Sequence, residues 1–127
     1  MVVVDLLLCA SLTVSAASFM TPAGIYGRFS GTVADTPVGS LLSTTTSITQ
    51  NPDYALLKID ADFSNGTNYL HSHSGSSSRG VTSFARSLPV YSDGATGVVP
   101  DRVYTAHSVQ NGTGDESYVR YLLTVFQ

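Results

Sequence analysis

Apolar and polar side chains alternate without interruption between Leu57 and Phe63. Successive side chains of a β-strand point to opposite faces, so this alternation places all of the apolar side chains on one face. One buried and one solvated face are typical of a strand in an antiparallel sheet. The predicted buried set is Leu57, Ile59, Ala61 and Phe63, and the predicted solvated set is Lys58, Asp60 and Asp62.

The C-terminal segment, residues 118–126, has a different pattern, because both of its alternating sets of side chains are largely apolar. Such a strand is normally covered on both of its faces. We therefore predict a central strand here, packed between two layers or against a partner.

Further strands are predicted over residues 25–33, 38–48, 81–88 and 102–109, with a short helical turn near residues 81–87 as an alternative. Gly, Pro, Asn and Asp mark turns at residues 21–24, 35–37, 51–53, 65–66, 92–94, 99–101 and 111–112. Seven or eight short strands with this punctuation predict an all-β fold. It is either an antiparallel β-sandwich, a class that includes the jelly roll, or a small barrel. The chain of 127 residues is predicted to form a single domain, residues 1–127.

The dipeptide Asn65-Gly66 follows the alternating strand and predicts a hairpin, since Asn and Gly tolerate the positive φ of tight hairpin turns. Residues 71–80 are rich in Ser and Gly, and residues 111–117 are polar. Both segments are predicted to be outward-facing loops.

Residues 1–16 are apolar and allow two interpretations. Residues 6–14 resemble the apolar region of a secretory signal peptide, but the segment carries Asp5 and no Lys or Arg. We favour an apolar N-terminal strand, with a cleaved signal peptide as the alternative. Polar side chains interrupt the apolar run before the ~18 residues that a membrane span requires, so no span is predicted.

Composition narrows the range of functions. Charged residues make up 12% of the chain and the formal net charge is −3, whereas about 25% charged residues is usual. The six basic residues are spread from Arg28 to Arg120. No nucleic-acid partner is predicted, because binding to phosphates requires clustered Lys and Arg. A surface with few charges is instead typical of a subunit that its neighbours cover.

Cys9 is the only cysteine, so the chain cannot form an intrachain disulfide. Small secreted domains often depend on disulfides, which argues against an independent extracellular domain. We interpret Cys9 as a small buried hydrophobic residue.

Two pairs of side chains suggest a metal site. Asp60 and Asp62 share one face of the alternating strand, and His71 and His73 would share one face of the strand that follows the hairpin. If the two strands pair around the Asn65-Gly66 turn, two carboxylates and two imidazoles face each other, as Zn²⁺ ligands could. The commoner alternative is a solvated face with His–Asp hydrogen bonds, so neither a metal nor another cofactor is predicted.

No catalytic arrangement is predicted, and we expect the protein not to be an enzyme. A Ser-His-Asp triad could in principle use His107, but the chain contains no G-x-S-x-G motif and no alternation of strands and helices. The glycines Gly24, Gly27 and Gly31 are not followed by the Lys-Ser/Thr of a phosphate-binding loop.

Asn65-Gly66-Thr67 and Asn111-Gly112-Thr113 match the acceptor pattern for N-glycosylation. If the chain is secreted, Asn65 and Asn111 are the candidate sites. The alternative is that Asn-Gly is used here only for its turn geometry.

These observations predict a non-enzymatic structural subunit of a larger assembly. The favoured assembly is a virion, in which the chain would be a capsid decoration (cement) protein or a tail or fibre subunit. Its partners would be copies of itself or other structural proteins, contacted through the apolar terminal strands. The alternative is a secreted β-sandwich that binds carbohydrate or a cell-surface ligand.

Overall fold

A computed structural model describes residues 16–35, 41–90, 99–111 and 116–126. In these ranges the chain forms eight strands and one 3₁₀ turn at Gly24–Tyr26. The strands make two four-stranded antiparallel sheets that are not closed into a barrel, so the predicted β-sandwich is confirmed and the barrel alternative is not. The strands are β1 Ala16–Pro22, β2 Arg28–Asp35, β3 Leu41–Ile48, β4 Leu56–Asn65, β5 Asn68–Ser76, β6 Ser83–Pro89, β7 Arg102–Gln110 and β8 Glu116–Val125.

The strand order is β1-β2-β3-β6 in the first sheet and β5-β4-β7-β8 in the second. Within the described ranges, β1 and β6 are therefore the edges of one sheet, and β5 and β8 are the edges of the other. None of the described segments is a helix long and apolar enough to cross a membrane.

The alternation in β4 is confirmed, because Leu57, Ile59, Ala61 and Phe63 are buried and the side chains between them are not. Two other predictions are wrong. Residues 81–87 form no helical turn, since β6 occupies most of that range, and residues 71–76 continue strand β5 instead of forming a loop. Among the described strands, the C-terminal strand is the outermost of its sheet.

Strand β1 was not predicted, because its sequence follows directly on the possible signal peptide. Residues 1–15 of the predicted N-terminal strand, Cys9 among them, lie outside the described residues, as do residues 112–115 of the second predicted loop.

The interior between the sheets is divided along the strands into three layers. One end holds an apolar cluster around Tyr26, Phe29 and Leu57, and the other end holds a second cluster around Leu42, Phe63 and Val103. Between the clusters lies a layer that we call the polar belt, in which every member is buried. The polar belt comprises Thr44 and Thr46 of β3 and Thr105 and His107 of β7.

Asn51 organises the turn between β3 and β4. Its Nδ2 donates to the carbonyl oxygens of Ala55 at 2.9 Å and Val81 at 2.8 Å, and its Oδ1 accepts from the Ala55 N–H at 2.8 Å. One side chain therefore satisfies three backbone groups in a partly buried turn.

We expect Asn51→Ala to lower the free energy of unfolding by about 2–3 kcal/mol, because the three backbone groups lose their partner. Urea unfolding at pH 7.5 measures this loss. Gln50→Ala is the control, since Gln50 makes one exposed hydrogen bond to the Ile25 carbonyl. A loss for Asn51→Ala no larger than that of the control would contradict the assigned role.

Candidate functional site

The predicted hairpin between β4 and β5 is confirmed, with its turn at Gly66 and Thr67. Gly66 has a φ of 60°, which glycine adopts without a steric penalty. Next to the turn, Asn65 pairs with Asn68 and Ser64 pairs with Tyr69, but Phe63 then pairs with His71. Leu70 is therefore an extra residue in β5, and the ladder contains a β-bulge at this point.

The bulge separates the two pairs of candidate metal ligands. The hairpin register, continued without a bulge, would set Asp62 opposite His71 and Asp60 opposite His73. Instead the two carboxylates lie opposite Ser72 and Ser74 on the outer face, and the two imidazoles share the inner face with Phe63. The prediction that all four side chains lie on one face is wrong, because one extra residue moves every later side chain to the other face.

The outer carboxylates have a different environment. Asp60 Oδ2 lies 3.7 Å from Lys58 Nζ on the surface of β4. The described part of the chain contains no group of three or more His, Cys, Asp or Glu side chains that could hold a metal ion.

His71 is held in a defined orientation on the inner face of β5. Its ring stacks on the ring of Phe63, with centroids 4.7 Å apart and an interplanar angle of 14°. Its Nε2 lies 2.8 Å from the carbonyl oxygen of Val90. A carbonyl oxygen can only accept, so Nε2 carries the proton and Nδ1 carries a lone pair in the neutral ring. This Nδ1 is buried and has no hydrogen-bond partner.

His73 lies beside His71, and the two ring centroids are 5.2 Å apart with an interplanar angle of 81°. The Nε2 atom of His73 is also buried and without a hydrogen-bond partner. Burial lowers the pKa of His73, and the neighbouring His71 and Arg86 lower it further. The ring is therefore neutral at pH 7, and the pair presents two unpartnered buried nitrogens.

His107 lies in the polar belt, where its Nδ1 is 2.9 Å from Thr46 Oγ1 and its Nε2 is 3.0 Å from Thr105 Oγ1. The ring is fully enclosed, and burial lowers its pKa to about 4. Its two hydrogen-bond partners are threonine hydroxyls, so no Ser-His-Asp arrangement is formed around it.

The two candidate glycosylation residues differ in environment. Asn65 donates from Nδ2 to the carbonyl oxygen of Val99 at 2.7 Å, so its amide supports the end of the hairpin. Asn111 is exposed, and Gly112 and Thr113 of its acceptor pattern lie outside the described residues.

The outer face of β8 forms the main exposed apolar surface of the described chain. Tyr121 is 76% exposed, Leu123 47% and Val125 48%, and Tyr104 of the neighbouring strand β7 is 44% exposed opposite Leu123. We call this surface the β8 face, and it comprises Val119, Tyr121, Leu123, Val125 and Tyr104.

The other three described sheet edges have outer faces of a different kind. Most of their outward side chains are small or polar, and the large exceptions are Met20 of β1 and Tyr69 of β5. The outward side chains are Ala16, Ser18, Met20 and Pro22 in β1, Asn68, Tyr69, Ser72, Ser74 and Ser76 in β5, and Ser83, Ala85, Ser87 and Pro89 in β6.

No protein-family model, curated protein or solved structure matches the chain. The two features from which a function can be argued are therefore the β8 face and the histidine pair. The apolar composition of β8 was visible in the sequence. No sequence pattern indicated that Tyr104 belongs to the β8 face or that the Val90 carbonyl contacts His71, because both contacts depend on how distant segments pair.

Proposed function

We propose that the protein is a non-enzymatic structural subunit that packs against a second copy of itself through β8. The observation that carries the proposal is the contrast between the β8 face and the other described sheet edges. An edge strand offers unpaired backbone groups, and natural proteins usually protect such edges with Lys, Pro, charges or short strands. β8 has ten residues and contains neither Lys nor Pro.

A second copy is a suitable partner, because two antiparallel β8 edges related by a two-fold axis offer each other the same pattern of donors and acceptors. Such pairing would join two four-stranded sheets into one sheet and place the two β8 faces side by side. Arg120 is the only charged residue between Tyr118 and Val125, so few charges would lose water on association.

A virion component, such as a capsid decoration protein or a tail or fibre subunit, remains our prediction for the larger assembly. The low charge and the single lysine of the chain support a subunit whose surface is largely covered by neighbours. A particle of this kind would supply further partners for the remaining surface.

We expect the 127-residue chain to be a dimer or a larger oligomer at micromolar concentration, and Leu123→Lys to weaken the association about 100-fold or more. The added ammonium group would have to lose its water in an apolar contact. Sedimentation equilibrium over a dilution series measures the dissociation constant.

Ser74→Lys is the matched control, since it adds the same charge to the outer face of the opposite sheet edge. Tyr121→Lys serves as a second test variant, because its side chain is 76% exposed and the change leaves the core intact. A wild-type chain that stays monomeric at about 100 μM, or equal affinities for Leu123→Lys and Ser74→Lys, would contradict the proposal.

A further inference from the structure

The histidine pair combines three features that a metal-binding site requires. The first is a pair of unpartnered nitrogens. His71 keeps its proton on Nε2 to donate to Val90, which leaves the lone pair of Nδ1 without a donor. Nε2 of His73 has no partner either, and it offers a lone pair in the tautomer that carries the proton on Nδ1. Unsatisfied buried polar atoms are uncommon, and two on adjacent rings indicate a missing partner.

The second feature is the separation of the rings. An imidazole nitrogen binds Zn²⁺ at about 2.0–2.1 Å, which places the ring centroid about 3.2 Å from the ion. Two such rings at a tetrahedral angle have centroids about 5.2 Å apart. The centroids of His71 and His73 are 5.2 Å apart, a separation that is compatible with two rings that bind one ion.

The third feature is the support behind His71. Histidines that bind metals usually donate their other ring N–H to a carbonyl or carboxylate, which fixes the tautomer and the orientation of the ring. The Val90 carbonyl provides this contact, and the stacked ring of Phe63 holds the plane of the imidazole. The ligating nitrogen would therefore not need to reorganise on binding.

An anion fits the pair less well, although Arg86 lies on the same side and donates weakly to the Ser74 carbonyl at 3.4 Å. An anion would meet the Nδ1 lone pair of a neutral His71, so only His73, with its proton on Nε2, and the Arg86 guanidinium group could donate to it. A transition-metal ion uses the lone pairs as they stand. Imidazole suits Zn²⁺ and Cu²⁺ in particular.

We propose that Nδ1 of His71 and Nε2 of His73 bind one divalent transition-metal ion, represented by Zn²⁺, with water in the remaining coordination positions. Only two protein ligands are available, whereas structural zinc sites have four, so the site is a weak one. It does not involve Asp60 or Asp62, which lie on the opposite face of the sheet.

Isothermal titration of the full chain with ZnCl₂ at pH 7.5 tests the site, and CuCl₂ is the second probe. We expect one ion per chain with a dissociation constant below ~1 mM. His71→Ala and His73→Gln should each weaken binding at least tenfold, whereas Asp60→Asn and Asp62→Asn should leave it unchanged. His73→Gln keeps the test valid if the loss of the stacked His71 ring prevents folding.

The Arg86→Gln variant distinguishes cation binding from anion binding at the histidine pair. Removing the positive charge should strengthen Zn²⁺ binding about threefold or more, since like charges close together repel. The same change should weaken the binding of an anion such as phosphate. Histidine ¹⁵N chemical shifts should move at Nδ1 of His71 and Nε2 of His73 when Zn²⁺ is added.

Two results would overturn the proposal. One is the absence of binding with both ions up to ~1 mM, and the other is Zn²⁺ affinity that persists in His71→Ala and in His73→Gln. Tight phosphate binding that depends on Arg86, without any Zn²⁺ binding, would identify an anion site instead.

Discussion

Acidification from pH 7 to pH 4 is expected to lower the free energy of unfolding by about 3 kcal/mol through His107. The pKa of this buried histidine falls from its usual 6.5 to about 4 in the folded protein because of desolvation. Its charged form would have to be accommodated between two sheets, where its neighbours include the ring of Phe19, Gly31 and the hydroxyls of Thr46 and Thr105.

The direction of the effect follows from proton binding. Between pH 6.5 and pH 4 the unfolded chain binds a proton at residue 107 and the folded protein does not, so protonation favours unfolding. The stabilisation is complete above pH 6.5, decreases as the pH falls, and is lost once the pH passes the folded pKa of about 4. One unit of pKa difference corresponds to about 1.4 kcal/mol.

Urea unfolding at pH 7.5, 6, 5 and 4 measures this dependence, with His107→Gln as the test variant. Gln can form hydrogen bonds with both threonines but does not titrate. Over this pH range the free energy of unfolding of His107→Gln should therefore change by about 3 kcal/mol less than that of the wild type. His73→Gln is the control. The pKa of His73 is also lowered in the folded protein, so His73 too contributes to the loss of stability on acidification, and this variant measures its share. Parallel curves for the wild type and His107→Gln would refute the assignment of the acid sensitivity to His107.

The replacement of Gly31 by alanine is expected to lower the free energy of unfolding by about 2–3 kcal/mol. Gly31 lies on the inner face of β2, next to the polar belt. A Cβ atom at this position would collide with Cε2 of Phe19 and would lie 2.9 Å from Cγ and Nδ1 of His107. Phe19 is itself held at its other side, because its ring packs edge-to-face on Phe29 with centroids 4.9 Å apart.

Gly75→Ala is a matched control for this change. Gly75 lies in the interior of strand β5, and its Cβ would approach the guanidinium end of Arg86, a flexible side chain that can move away. The same gain in strand propensity applies to both substitutions, so the difference between them reports packing alone. Thermal and urea unfolding should show a loss for Gly31→Ala and a change below about 1 kcal/mol for Gly75→Ala. Equal losses would show that the space around Gly31 is not restrictive.

The bulge at Leu70 shows why the arrangement of the four candidate metal ligands could not be determined from the sequence. The hairpin, the turn residue Gly66 and the alternation of β4 were all predicted correctly from local patterns. The face on which His71 and His73 lie depends on one extra residue in β5, and no turn residue or charge at Leu70 announces it. The bulge places the rings of His71 and His73 against Phe63 and leaves serines on the outer face. This arrangement depends on packing between the sheets.

The sequence left the position of β8 open for a related reason. An apolar pattern on both faces of a strand indicates that both faces avoid water, but it does not indicate whether a neighbouring strand or another molecule covers them. In the structure Leu122 and Phe126 pack against the inner apolar cluster, whereas Tyr121 and Leu123 remain exposed among the described residues. The apolar pattern therefore does not determine where the strand lies in its sheet.

The sequence by itself determined the all-β class, the antiparallel alternation of β4 and the hairpin that follows it, because these depend on side-chain periodicity and on turn residues that are close in the chain. Only the tertiary structure decided that His107 lies in a polar belt with Thr46 and Thr105, that the two histidines of β5 turn inward, and that β8 is the outermost of the described strands of its sheet. Each of these depends on contacts between residues far apart in the chain. Their formation is governed by how two sheets fill the space between them, which no local pattern records.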